Sequence, residues 1–254
     1  CGQCRYCRRG QYWMCQVHNI YGFQGGIDDG AWAEYMRFPA GALNYRVPSN
    51  VPDEQAALVE PLACAIHAVE RGEIRLGDVV VIAGMGPIGL CMLQVARLQS
   101  PGLLVALDAR ADRLARAARL GADLTIDVTQ EDAVARVLGL TEGYGCDVYI
   151  EATGNPAAVG QGLQMVRKLG TFVEFSVMAS PSTVDWSIIG DAKELNVHGA
   201  HLGPYRYPLA IEYIATGKVD AAALVSHRYP LQTFGDALET AHAAEGSCKV
   251  LLIP

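Results

Sequence analysis

From Asp78 onward, short apolar runs alternate with stretches whose apolar residues recur three and four positions apart. Val79-Val80-Val81-Ile82-Ala83 is short, β-branched and free of polar residues, the pattern of a strand buried on both faces of a parallel sheet. Beyond a glycine turn, Ile88, Cys91, Met92, Val95 and Ala96 fall on one face of a helix. Pro87 suits its first turn, where a missing N–H costs nothing. Residues 103–107 read as a second strand ending at Asp108, and the helix after it runs through Leu114 and Ala118 until Gly121 stops it. Residues 124–126, 147–151, 171–176 and 195–199 predict four more strands, with helices near 132–138, 157–169 and 190–194 between them. Six strands joined by helical crossovers predict an α/β fold, a doubly wound parallel sheet. Residues 249–254 read as a last strand closed by a proline.

Composition sets bounds. The 254 residues are 51% apolar and 19% charged, ordinary globular usage with length enough for two domains or one large one. A formal charge of −7 with no dense Lys/Arg run argues against a nucleic-acid partner, and Arg5, Arg8 and Arg9 read as a solvated rim. No apolar run reaches the length of a membrane span and no signal peptide is visible, so no membrane partner and a cytoplasmic location are expected.

Four cysteines open the chain as Cys1-x2-Cys4-x2-Cys7-x7-Cys15. Four soft thiolates so close together match a closed, tetrahedral structural Zn²⁺ site. Two other readings use the same residues. A disulfide framework suits an oxidising compartment, which the rest of the chain does not suggest. An iron–sulfur cluster usually ends in Cys-Pro after a short gap, whereas Cys15 is followed by Gln16. A chain whose first residue is a ligand is expected to be part of something longer.

Gly84-Met85-Gly86-Pro87-Ile88-Gly89 falls between a predicted strand and a predicted helix, the context that gives G-x-G-x-x-G its meaning. The first glycine permits the tight turn, the second lets a pyrophosphate approach, and the third lets helix and strand pack closely. The helix N-terminus adds unpaired N–H groups. Asp108, at the end of the second predicted strand, can bind both ribose hydroxyls and repel a 2′-phosphate, which favours NAD. Arg110 and Arg113 could tolerate a phosphate, which leaves NADP open, and a glycine turn without a ligand is the remaining alternative.

Together with Gly30-Ala31-Trp32-Ala33-Glu34-Tyr35, Glu60-Pro61-Leu62-Ala63-Cys64 and Cys248-Lys249-Val250, these motifs resemble the zinc-dependent medium-chain alcohol and polyol dehydrogenases along the whole chain. Glu60-Pro61 resembles the sorbitol dehydrogenase-like branch, and the nucleotide half is most similar to erythritol/threitol-type dehydrogenases. The resemblance implies a Rossmann domain over 63–203. It also implies, over 1–62 and 204–254, the remnant of a GroES-like β-barrel catalytic domain with a four-cysteine zinc lobe, incomplete at its N-terminus. Glu60 would stand at a catalytic Zn²⁺ whose other ligands, like the proton relay, lie upstream of Cys1. Trp32 and Tyr35 would border the substrate pocket. Gly84, Gly86, Pro87, Ile88, Gly89, Asp108 and Arg113 would hold NAD, with Thr153, Ser176, Ala200, His201 and Leu202 flanking the nicotinamide.

The implied activity is oxidation of a secondary alcohol, a small polyol, to the ketone, by a homodimer or homotetramer. The alternative is a structural-zinc, NAD-binding module without turnover. Residue by residue, plainer readings compete. Glu60 can be a capping or ion-pairing residue beside Pro61, and Trp32 and Tyr35 can be core residues of a half-buried strand. Cys64 and His67 read better as core than as a metal site, and Cys91, Cys146 and Cys248 as buried apolar residues.

Overall fold

The apolar runs become strands and the periodic stretches mostly become helices. In the computed structural model, which describes residues 1–24, 26 and 28–254, the helices are α1 (Asp53–Ala56), α2 (Val59–Arg71), α3 (Pro87–Leu98), α4 (Ala111–Arg119), α5 (Ala133–Leu140), α6 (Pro156–Met165), α7 (Tyr207–Ala215) and α8 (Phe234–Ala243). The strands are β1 (Val79–Ala83), β2 (Leu103–Asp108), β3 (Leu124–Asp127), β4 (Cys146–Glu151), β5 (Val166–Glu174), β6 (Asn196–Gly199), β7 (Val225–Pro230) and β8 (Lys249–Ile253). The chain divides into two units, Glu60–Gly203 and Cys1–Val59 with Pro204–Pro254.

In Glu60–Gly203, six parallel strands lie in the order β3-β2-β1-β4-β5-β6. β1 is central because it is apolar throughout: Val80, Val81 and Ile82 are fully buried, and Val80 registers with Leu104 on one side and Val148 on the other. α3 buries Leu90, Cys91, Met92, Leu93, Val95 and Ala96. Each large side chain so removed from water contributes roughly 1.5–3 kcal/mol. On one core cluster Val81, Leu107, Ile126, Val137, Tyr149 and Phe172 meet, with the Tyr149 and Phe172 rings stacked 5.2 Å apart. The strand order reverses between β1 and β4, and in such sheets ligands bind outside the C-terminal ends of the strands at that reversal.

Two predicted helices need correction. The helix expected over 157–169 stops at Met165, and β5 begins at once with Val166 opposite Cys146. Two long-range contacts decide this. Arg167 Nε donates to Asp147 Oδ1 of β4 at 2.6 Å, and Lys193 Nζ caps the carbonyls of Leu163, Gln164 and Val166. Residues 190–194, expected as a helix, form a turn behind a short 3-10 helix at Trp186–Ile188. There Asp185 accepts the N–H and hydroxyl of Ser187, and Glu194 ends the segment at a φ of 49°.

In the other unit, 3-10 turns at Cys7–Arg9 and Tyr12–Met14 lead into long stretches without helix or strand. The two strands β7 and β8 pair in parallel, with α8 against them. Glu54 of α1 takes the guanidinium of Arg228 in β7 through both nitrogens, and Asn50 donates to the Ala215 carbonyl at the end of α7. Among the described residues no helix is long and apolar enough to cross a membrane.

Candidate functional site

The glycine turn links β1 to α3, and its geometry requires glycine at two places. Gly84 has a φ of 93°, and a Cβ there would meet the Ala152 carbonyl oxygen at 2.6 Å. At Gly89 a Cβ would lie 1.7 Å from the Gly84 carbonyl oxygen. Gly86 differs: a Cβ built on it meets only Arg113 Nη1, 4.0 Å away, so its face is open. Pro87 begins α3 and no side chain caps that helix, which leaves its first N–H groups for an incoming anion. Ile88 is half-buried and Gly89 buried.

Asp108 ends β2 and is 8% exposed. Its Oδ2 accepts the Met85 N–H at 2.7 Å and its Oδ1 the Arg110 N–H at 2.9 Å, which ties the carboxylate to the glycine turn. Each oxygen keeps one lone pair for a further donor. Arg113, on α4, places Nη1 3.7 Å from Asp108 Oδ2.

Across the reversal, the strand ends gather the expected nicotinamide-side residues around a carboxylate that sequence reasoning does not single out. Glu151 ends β4 fully buried, and its Oε1 accepts the N–H and hydroxyl of Thr153 and the N–H of Gly154. The Ser176 hydroxyl donates to the Glu151 carbonyl at 3.4 Å, and the Ala200 N–H to the Glu174 carbonyl at 2.9 Å. Thr153, Ser176 and Ala200 therefore line one edge of the sheet. His201 and Leu202 follow directly, Leu202 at a φ of 56°. Glu174 sits opposite Glu151 in register, half-buried, with an Oε1 that has no hydrogen-bond partner. Burial first, and then the charge of Glu151, push its carboxyl up to about 7. The signal for both residues was the one that marked Asp108: an acid closing an apolar strand.

Glu60 is exposed in the first turn of α2 and accepts a hydrogen bond from Cys64 Sγ at 3.1 Å. Burial, with the Glu60 charge added, pushes the Cys64 thiol far up, so it stays protonated and donates. Cys64 is buried and His67 half-buried. Trp32 lies in a bend and Tyr35 in chain without helix or strand, 67% and 91% exposed, so the half-buried strand that would have made them core residues does not form.

The four N-terminal cysteines converge. Their Sγ atoms all lie within 4.8 Å of one another, and among the described residues they are the one group of three or more such donors close enough to share an ion. Four sulfurs about 2.3 Å from a common zinc in a tetrahedron stand about 3.8 Å apart, so the set fits. No disulfide joins them in this structure. The Cys4 and Cys7 N–H groups point at the sulfurs of Cys1 and Cys4, and the N–H groups of His18 and Val17 hold the Cys15 thiol down to about 6. The lobe is braced within its unit by Tyr205, whose hydroxyl donates to the Gly10 carbonyl and whose N–H donates to Tyr12 Oη at 3.1 Å.

Comparison with known proteins adds to this geometry. Residues 87–216 match the family model of zinc-binding dehydrogenases, and residues 1–49 match that of the alcohol dehydrogenase GroES-like domain. The chain is 49% identical over 254 residues to an erythritol/L-threitol dehydrogenase of Mycolicibacterium smegmatis, spanning 100% of the chain and 70% of that protein. It is 34% identical over 256 residues to a sorbitol dehydrogenase of Halalkalibacterium halodurans, spanning 100% of the chain and 73% of that protein. A zinc-binding dehydrogenase homologue from Sinorhizobium meliloti 1021, crystallised with NADP, superposes with a TM-score of 0.91 at 30% identity, covering 100% of this chain and 74% of that one.

Proposed function

The chain belongs to the medium-chain zinc-binding dehydrogenases and is an alcohol dehydrogenase, and we propose that it oxidises a secondary alcohol of a small polyol with NAD as acceptor. We propose further that Cys1, Cys4, Cys7 and Cys15 hold one structural Zn²⁺. The observation that carries the cofactor reading is Asp108: a buried carboxylate locked to the glycine turn, with lone pairs left for ribose hydroxyls.

When bound, NAD⁺ would accept the hydride, and a catalytic zinc would lower the pKa of the alcohol. The chain's own residues bind and orient. The open face of Gly86 admits the diphosphate, and the first N–H groups of α3 point toward it. Asp108 accepts from the ribose and opposes a 2′-phosphate by like charge. Thr153, Ser176 and 200–202 offer backbone groups to the nicotinamide, with Glu151 holding the Thr153–Gly154 turn in place. Glu60 offers one carboxylate oxygen to a catalytic metal and cannot hold an ion by itself. Trp32 and Tyr35, exposed as they are, remain candidates for substrate contact.

The polyol reading is supported by the erythritol/L-threitol and sorbitol dehydrogenases among the relatives. Likeness to the family also supports a homodimer or homotetramer in the cytoplasm. The test is NADH formation by the protein with four- to six-carbon polyols. NADH formed with NAD⁺ and a four-carbon polyol supports the reading. No NADH from any secondary alcohol would overturn it.

A further inference from the structure

Two arginines stand beside the end of β2, and each already faces a carboxylate. Arg113 Nη1 lies 3.7 Å from Asp108 Oδ2. Arg110 engages a different carboxylate. Its Nε donates to Asp112 Oδ1 at 3.1 Å and its Nη2 to Asp112 Oδ2 at 3.4 Å, fork to fork. Meanwhile the Arg110 N–H donates to Asp108 Oδ1 at 2.9 Å. The backbone of Arg110 is thus part of the turn that presents the ribose-binding carboxylate, while its guanidinium is engaged by Asp112.

Residues two apart do not normally face each other on a helix. They meet here because Arg110 is the residue before α4, with an extended backbone (φ −121°, ψ 119°), while Asp112 lies in the helix's first turn. The Arg110 guanidinium holds the Asp112 carboxyl below its ordinary value, so the pair is ionised at neutral pH. The side chains are 30% and 40% exposed, so solvent and a ligand phosphate can both compete for the arginine.

A 2′-phosphate on the adenosine ribose would lie beside Asp108, next to Arg110. A guanidinium is the side chain best matched to phosphate, by charge and by its fork of N–H groups. We propose that Asp112 is a positioning residue for cofactor specificity: by engaging Arg110 it withholds the guanidinium from a 2′-phosphate and keeps the site selective for NAD over NADP. The proposal rests on the dinucleotide reading above and names a residue beyond the Asp108 carboxylate on which that reading stands.

The experiment measures Kd for NAD⁺ and for NADP⁺ by calorimetry on the whole protein, on Asp112→Asn, on Asp112→Glu and on the double variant Arg110→Ala/Asp112→Asn. The quantity read is the ratio of the NADP⁺ Kd to the NAD⁺ Kd. Asp112→Asn is expected to lower that ratio about threefold to tenfold, by freeing one guanidinium for a charge-assisted contact. Asp112→Glu, which still reaches Arg110, should keep the ratio near the wild-type value, and the double variant should restore it. An Asp112 that merely supports the start of α4 would move both constants together. A ratio that stays put in Asp112→Asn, or a shift that survives removal of Arg110, overturns the proposal. If the wild-type protein binds neither dinucleotide, the cofactor reading itself falls, which is a different result from NAD⁺ bound with an unmoved ratio.

Discussion

In Glu60–Gly203 the glycine turn, Asp108, Glu151 and Thr153 sit at or just beyond the ends of parallel strands, held by a sheet whose central residues are fully buried. In Cys1–Val59 with Pro204–Pro254, the described residues form one two-stranded sheet, three α-helices, short 3-10 turns and long stretches of none of these. Its described residues before Val51 include none that is buried, and order there comes from point contacts such as the four converging sulfurs and Tyr205 on Gly10. Burial spreads stability over many side chains, whereas point contacts concentrate it in a few. The nucleotide unit should therefore survive loss of the metal, and the cysteine lobe should not.

The largest effect expected from this contrast is metal removal. Zinc held by thiolates is worth about 10–16 kcal/mol in small metal-folded domains. Stripping the ion with a chelator, or Cys4→Ser, should open residues 1–15 to amide exchange and leave the amides of β1, β2 and β4 protected. Loss of protection in both places at once would break the comparison. Next comes Gly89→Ala, whose Cβ would be placed 1.7 Å from the Gly84 carbonyl oxygen. Overpacking of this kind costs about 1–3 kcal/mol, so a urea titration should show that loss, and calorimetry should show weakened NAD⁺ binding. Unchanged binding would mean that the turn is not the cofactor cradle.

Smaller again is Tyr149→Phe, which removes the donor to the Ala158 carbonyl at 3.0 Å in a fully buried site. About 1–2 kcal/mol should be lost from the stability of Glu60–Gly203, read from its urea midpoint. The last effect is that of pH on Glu174. Its carboxyl is raised from 4.5 to about 7 in the folded protein, so between those values the folded unit binds more protons than the unfolded chain. The stability it contributes is complete below about 4.5 and is lost as the pH rises through about 7. Glu174→Gln should flatten that slope in thermal melts. An identical slope in the variant would assign the pH dependence elsewhere.

The same contrast governs what can be read from sequence. β1, β2 and β4 are legible because each is a short apolar run that the sheet buries on both faces. The start of β5 is not legible: Val166–Leu169 continues a helical-looking stretch, and the strand is set by Asp147 and Lys193, far away in the chain. Of the candidate site, the glycine turn and Asp108 carry local signatures. Glu151 and Glu174 carry the same signature as Asp108, an acid closing a strand, but their relation to each other exists only through the β4–β5 register. The Arg110–Asp112 pair is hidden for a similar reason, because it depends on where α4 begins. In the other unit, the cysteine spacing marks the lobe. No periodicity marks the region of Trp32 and Tyr35, where the backbone forms bends in place of a strand.

Amide hydrogen exchange with and without NAD⁺ tests most directly the division of labour between the two units. The account predicts that NAD⁺ slows exchange at 84–90, 108–113 and 153–154 and leaves 1–15 unchanged, and that chelation does the reverse. Protection by NAD⁺ that bypasses the glycine turn and the Asp108 segment would contradict it.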